Sequence, residues 1–79
     1  DTYAWVLYKL GRYDEALSWI QKAVANGGGE SGEVREHYGD ILFKLGQTDK
    51  AVEQWEKAQE LGGASELIEQ KIREQKLYE

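Results

Sequence analysis

The residues of this chain best equipped for chemistry sit within five positions of one another: Glu36, His37 and Asp40. On one helix they could serve as metal ligands or as an acid–base pair. The metal reading is weak. His37 is the only histidine and there is no cysteine, and one imidazole with two carboxylates makes a poor zinc set. The acid–base reading needs an apolar pocket to move a carboxyl pKa, and no such pocket is indicated; carboxylate pairs on solvated helix faces are ordinary. Ser31 and Ser65 read better as helix N-caps than as nucleophiles. The stretch from Asn26 to Gly32, NGGGESG, lacks the Gly-Lys-Ser/Thr ending of a phosphate loop and follows a helix rather than a strand. No catalytic, cofactor-binding or metal-ligating residue is therefore assigned, and the chain does not read as an enzyme.

Size and charge narrow the remaining classes. The chain has 79 residues, enough for one domain with a thin core. Its net charge is −5, and the acidic excess lies entirely after Gly29. An acidic surface without a basic stripe argues against nucleic acid as a partner and against an anionic membrane surface. No run approaches the length of a membrane-spanning helix. Cysteine absence says nothing about redox compartment. Proline absence favours uninterrupted helices. Methionine is absent too, which leads us to expect a piece of a longer chain.

The elements that position these residues come in two copies. Leu10-Gly11-Arg12-Tyr13-Asp14-Glu15-Ala16 returns as Leu45-Gly46-Gln47-Thr48-Asp49-Lys50-Ala51. A shift of thirty-five residues aligns Tyr3 with Tyr38, Leu7 with Leu42, Ile20 with Trp55 and Ala23 with Ala58. The first segment, Thr2 to Leu10, is apolar on nearly every side. Tyr3, Leu7 and Leu10 are expected to face the next helix, leaving Trp5, Val6 and Tyr8 to face something else. In isolation the chain is expected to self-associate through this segment. Gly11 ends it, as only glycine takes a left-handed cap cheaply.

The second helix is predicted over Asp14 to Ala25, with Tyr13, Ala16, Leu17, Ile20, Ala23 and Val24 in one stripe. The third runs from about Glu33 to Leu45, with Ser31 as N-cap and Val34, Tyr38, Ile41, Leu42 and Leu45 inward. Gly39 lies inside it, and close approach of a neighbouring backbone would offset its cost of roughly 1 kcal/mol. The fourth runs from Asp49 to Leu61, capped by Thr48, with Ala51, Val52, Trp55 and Ala58 inward. A fifth, Glu66 to Tyr78, has a narrow stripe of Leu67, Ile68 and Ile72 and a broad polar side, as a solenoid end requires.

Paired helices, this unit length, and Gly11, Ala16, Ile20 and Ala23 answered by Gly46, Ala51, Trp55 and Ala58 resemble the tetratricopeptide repeat (TPR) family. The resemblance implies an all-α fold: antiparallel helix pairs stacked as a short solenoid. One domain, 1–79, would comprise repeat one (1–28), repeat two (31–63) and a C-terminal capping helix (65–79). Glycines at Gly28 and Gly63 replace the family's usual proline, and Ala4 stands where repeat two has Gly39. The wording of repeat one is similar to that of bacterial members, which occupy both cytoplasm and cell envelope.

By the same resemblance, the first helix of each pair lines a concave face. Here that face would comprise Trp5, Tyr8 and Lys9, then Glu33, Glu36, His37, Asp40, Phe43 and Lys44. Trp5 is open between this groove and contact with a preceding repeat. The implied function is protein–protein interaction, as a scaffold module binding a peptide or helix there. The alternative is a structural C-terminal cap of a longer array, with recognition upstream.

Overall fold

The computed structural model describes residues 2–75, and among them the chain is helical without strands. Helix α1 spans Thr2–Lys9 and α2 Tyr13–Ala25. A single 3-10 turn, Gly28–Glu30, leads into α3, Gly32–Lys44. Helix α4 spans Thr48–Leu61 and α5 Ile68–Glu74.

The doubled Leu-Gly stretch builds the same turn twice. Gly11 (φ 81°) and Gly46 (φ 85°) take the left-handed conformation. After α1, the Arg12 amide donates to the Leu7 carbonyl at 2.9 Å and the Gly11 amide to Tyr8 at 3.0 Å. After α3, Gln47 donates to Leu42 at 2.9 Å and Gly46 to Phe43 at 3.0 Å. Each set is a Schellman closure, which satisfies the last carbonyls of the helix while reversing the chain.

Helix α3 is the centre of the molecule, packing on α2 on one side and α4 on the other. One apolar cluster gathers Ala4, Leu7, Tyr8, Ala16, Ile20, Val34 and Ile41 from α1, α2 and α3. A second gathers Leu42, Ala51, Trp55, Ala58 and Ile68 from α3, α4 and α5. Leu17 and Tyr38 pack against both. The stripes expected for α2, α3 and α4 are thus the ones that turn inward. The crossing of α3 and α4 depends on Gly39: a Cβ there would stand 2.9 Å from the Ala51 carbonyl oxygen and within the Trp55 indole. Arg35 ties the inter-repeat loop to α4, donating from Nε to the Gly29 carbonyl at 2.9 Å and from Nη1 to Gln54 Oε1 at 2.7 Å.

Three expectations need correction. Helix α1 buries Ala4, Leu7 and Tyr8, while Tyr3 and Leu10 are 51% and 66% exposed. Both sets obey helical spacing, and a segment apolar on all sides carries no periodic signal to choose between them. Thr48 is the first residue of α4 rather than its cap, and Gln47 at the cap position makes no side-chain capping bond. Helix α5 begins at Ile68, after a turn at Glu66 and Leu67, and ends at Glu74 with Gln75 in the left-handed cap conformation; residues 76–78 of its expected length, including Tyr78, lie outside the described residues. Ser31 does cap α3, its hydroxyl accepting from the Val34 amide at 3.4 Å.

Candidate functional site

The residues expected on the concave face divide into three groups. The first joins α1 to α3. The Trp5 indole stacks on the Tyr8 ring at 4.8 Å and on the His37 imidazole at 4.2 Å, nearly parallel to both. Tyr8 and Lys9 follow Trp5 at i+3 and i+4, which brings their side chains over the same turn. The Lys9 ammonium lies 5.0 Å from the Trp5 ring centre, a cation–π distance. Trp5 and His37 are half-buried and Lys9 is exposed. Burial holds the His37 imidazole below its usual pKa, against an opposing pull from Glu33 and Glu36, so it is neutral at pH 7.

Tyr8 is a correction. It is only 3% exposed and packs edge-on to Tyr13 at 5.5 Å, so it supports Trp5 from the core rather than lining a groove. The physical reason is again the all-apolar α1, which offers Tyr8 to the interior as readily as to the outside.

The second group is Glu36 and Asp40, each 4% exposed, and this too departs from the expected groove lining. Lys71 of α5 reaches them both: its Nζ donates to Glu36 Oε2 at 2.8 Å and to Asp40 Oδ1 at 3.0 Å. Ser65 donates to Glu36 through its amide at 2.7 Å and its hydroxyl at 2.5 Å. Trp55 Nε1 donates to Asp40 Oδ1 at 3.0 Å. The expectation of a solvated carboxylate pair fails because α5 and the segment leading into it fold over this part of α3, and Lys71, Ser65 and Trp55 replace water as donors. Two carboxylates share one ammonium, and the unmatched charge falls on Asp40. Burial pushes the Asp40 carboxyl up to about 6, against the opposing attraction of Lys71. Burial also works to raise Glu36, but Lys71 and Ser65 outweigh it and hold that carboxyl below its usual value. Desolvation would lower Lys71, yet the two carboxylates carry it above its usual value.

The third group ends α3. Phe43 is half-buried, its ring 5.9 Å from Trp55, and Lys44 is exposed. Glu33 is exposed at the other end of the helix. None of these residues lines the surface concavity of about 320 Å³ formed by Gly46 to Lys50 at the α3–α4 turn.

Sequence reasoning missed Lys71 and Ser65 as partners of the acidic pair. A signal for Lys71 existed. It stands three residues after Ile68 and just before Ile72, beside the apolar stripe of α5, where a lysine stem is drawn inward. Among the described residues no group of histidine, cysteine or carboxylate side chains could hold a metal ion, and no helix is long and apolar enough to cross a membrane.

The chain matches the family model of the tetratricopeptide repeat-like domain over residues 3–78. No curated protein matches it, and neither does any solved structure.

Proposed function

From a chain that belongs to the tetratricopeptide repeat-like family, and so to a class of protein-interaction modules, we propose a scaffold that binds a peptide or helix against α1 and α3. The observation carrying this reading is Trp5: an indole half-exposed at the junction of two helices, stacked on His37, with Lys9 over its ring. Aromatic platforms with a cation beside them suit apolar side chains flanked by acidic groups. Phe43 and Lys44 extend the same chemistry along α3. A catalytic role is not part of the proposal, because Glu36 and Asp40 are engaged by Lys71.

The test is selection of displayed peptides on the whole chain, followed by titration against substituted chains. Trp5→Ala and Lys9→Glu should each weaken the selected peptides by about tenfold with the helical circular dichroism unchanged. Peptides that bind both substituted chains as tightly as the parent would place recognition elsewhere. A second reading, the end cap of a longer array, draws support from α5, whose Glu69, Arg73 and Glu74 are exposed on its outer side.

A further inference from the structure

We infer that the surface of α3 and α4 beneath α5 is a recognition site for a partner helix presenting one lysine beside an apolar stripe, and that α5 occupies this site in cis. The kind of occupant is read from α5 itself. Of its seven residues, Ile68 and Lys71 are the buried ones, one apolar and one cationic. The Lys71 ammonium is met by Glu36 Oε2 at 2.8 Å and by Asp40 Oδ1 at 3.0 Å, and it lies 5.9 Å from the Trp55 ring centre. Two carboxylates one helical turn apart, backed by an indole, form a socket for a primary ammonium. Beside the socket, Ile68 joins the apolar cluster of Leu42, Ala51, Trp55 and Ala58, with Ile72 packed against it.

The fold does not require charge at this junction. The matching contact in repeat one joins α1 to α3 through Trp5 and His37, which stand thirty-five residues before Asp40 and thirty-four before Lys71. There the contact is an aromatic stack at 4.2 Å. Val34, thirty-four residues before Ile68, is buried as Ile68 is. One junction is thus closed by rings and the other by an ion cluster. A buried ion cluster adds little net stability over apolar side chains of similar size, but it penalises any occupant that lacks the matching charge. Helix α5 is also too short to stand alone, and it follows Gly62 and Gly63, both at positive φ. Opening it returns Glu36 and Asp40 to water while α3 and α4 keep their mutual packing. The tethered α5 competes at an effective concentration on the order of millimolar, which sets the threshold a free partner must exceed. The Trp5 platform takes no part in this site, so either can fail alone.

The probe is a labelled peptide of residues 64–75, ASELIEQKIREQ, held helical by a staple between its exposed positions 69 and 73 and titrated into the full chain by fluorescence anisotropy. Lys71→Glu in the chain sets a third carboxylate against Glu36 and Asp40 and should expel α5. That chain should bind the peptide at least tenfold more tightly than the parent does. A peptide carrying Lys71→Met should bind the same chain about tenfold more weakly than the lysine peptide. If Lys71→Glu unfolds the chain, Ser65→Ala replaces it: this removes the hydroxyl bond to Glu36 that fastens the closed form, and should tighten peptide binding about threefold over the parent. Equal affinity for parent and opened chain, no binding to the opened chain, or a Lys71→Met peptide that binds as well as the lysine peptide overturns the inference.

Discussion

The Lys71 ammonium and the Asp40 carboxylate lie 3.0 Å apart across 31 residues of sequence, and both residues are nearly sealed from water. This pair, shared with Glu36, fastens α5 to α3. Removing one partner of a buried ion pair leaves an uncompensated charge and costs about 3–5 kcal/mol. Lys71→Met keeps the apolar stem and removes only the charge. It should lower stability by about 3 kcal/mol in urea denaturation. Adding Asp40→Asn and Glu36→Gln to Lys71→Met should restore much of the loss. If Lys71→Met alone is neutral, the network contributes nothing to holding α5.

The same network gives a pH dependence whose sign follows from Asp40. Its carboxyl titrates near pH 6 in the folded chain, raised by burial from the ordinary 3.8. The folded state then holds this proton more tightly than the unfolded state. The Asp40 contribution is fully present below pH 3.8 and is lost as pH rises through about 6. Glu36, lowered in the folded state from 4.5, acts the other way, and its contribution is lost as pH falls below that value. His37, also lowered, loses its contribution as pH falls below 6.5. The stability difference between the parent and Asp40→Asn isolates the first effect. It should move in favour of the parent by about 1 kcal/mol between pH 7.5 and pH 5. Denaturation at the two pH values measures it, and a difference that does not change with pH would rule it out.

How much of this was legible in the sequence depended on whether a residue's surroundings were local. The turns at Gly11 and Gly46 were readable because their hydrogen bonds close within six residues. The inward stripes of α2, α3 and α4 were readable because each has one apolar side. Helix α1 defeated the same method, since every side of it is apolar and burial is decided by neighbours. Glu36 and Asp40 were misplaced because their partners, Ser65 and Lys71, are supplied by α5 and the segment leading into it, 29–35 residues later. The pattern of α3 alone contains no trace of that helix.

Gly39 and Trp55 make a second testable relationship. At the equivalent crossing in repeat one stand Ala4 and Ile20, both fully buried. The smaller residue on the first helix goes with the larger on the second: glycine with tryptophan, alanine with isoleucine. Gly39→Ala improves helix propensity by roughly 1 kcal/mol but drives a methyl into the indole and the Ala51 carbonyl. The clash should win, for a net loss of about 2 kcal/mol. In a chain already carrying Trp55→Ile, Gly39→Ala should cost less than about 0.5 kcal/mol. A double-mutant cycle by chemical denaturation decides, and additive losses would break the size-compensation account.

Tyr8 and Trp5 separate folding from recognition. Tyr8 is 3% exposed in the first core cluster, so Tyr8→Ala removes a buried ring and should cost about 3–4 kcal/mol. That loss approaches the whole stability of a domain this small, and helicity should fall with it. Trp5 is half-buried and stacked rather than enclosed. Trp5→Ala should cost about 1 kcal/mol, the scale of its aromatic contacts, and leave the helices standing. Circular dichroism melts of the two variants measure the contrast directly. A Trp5→Ala chain that melts as early as Tyr8→Ala would make Trp5 a core residue and remove it from the candidate binding surface. A Tyr8→Ala chain of native stability would return Tyr8 to that surface.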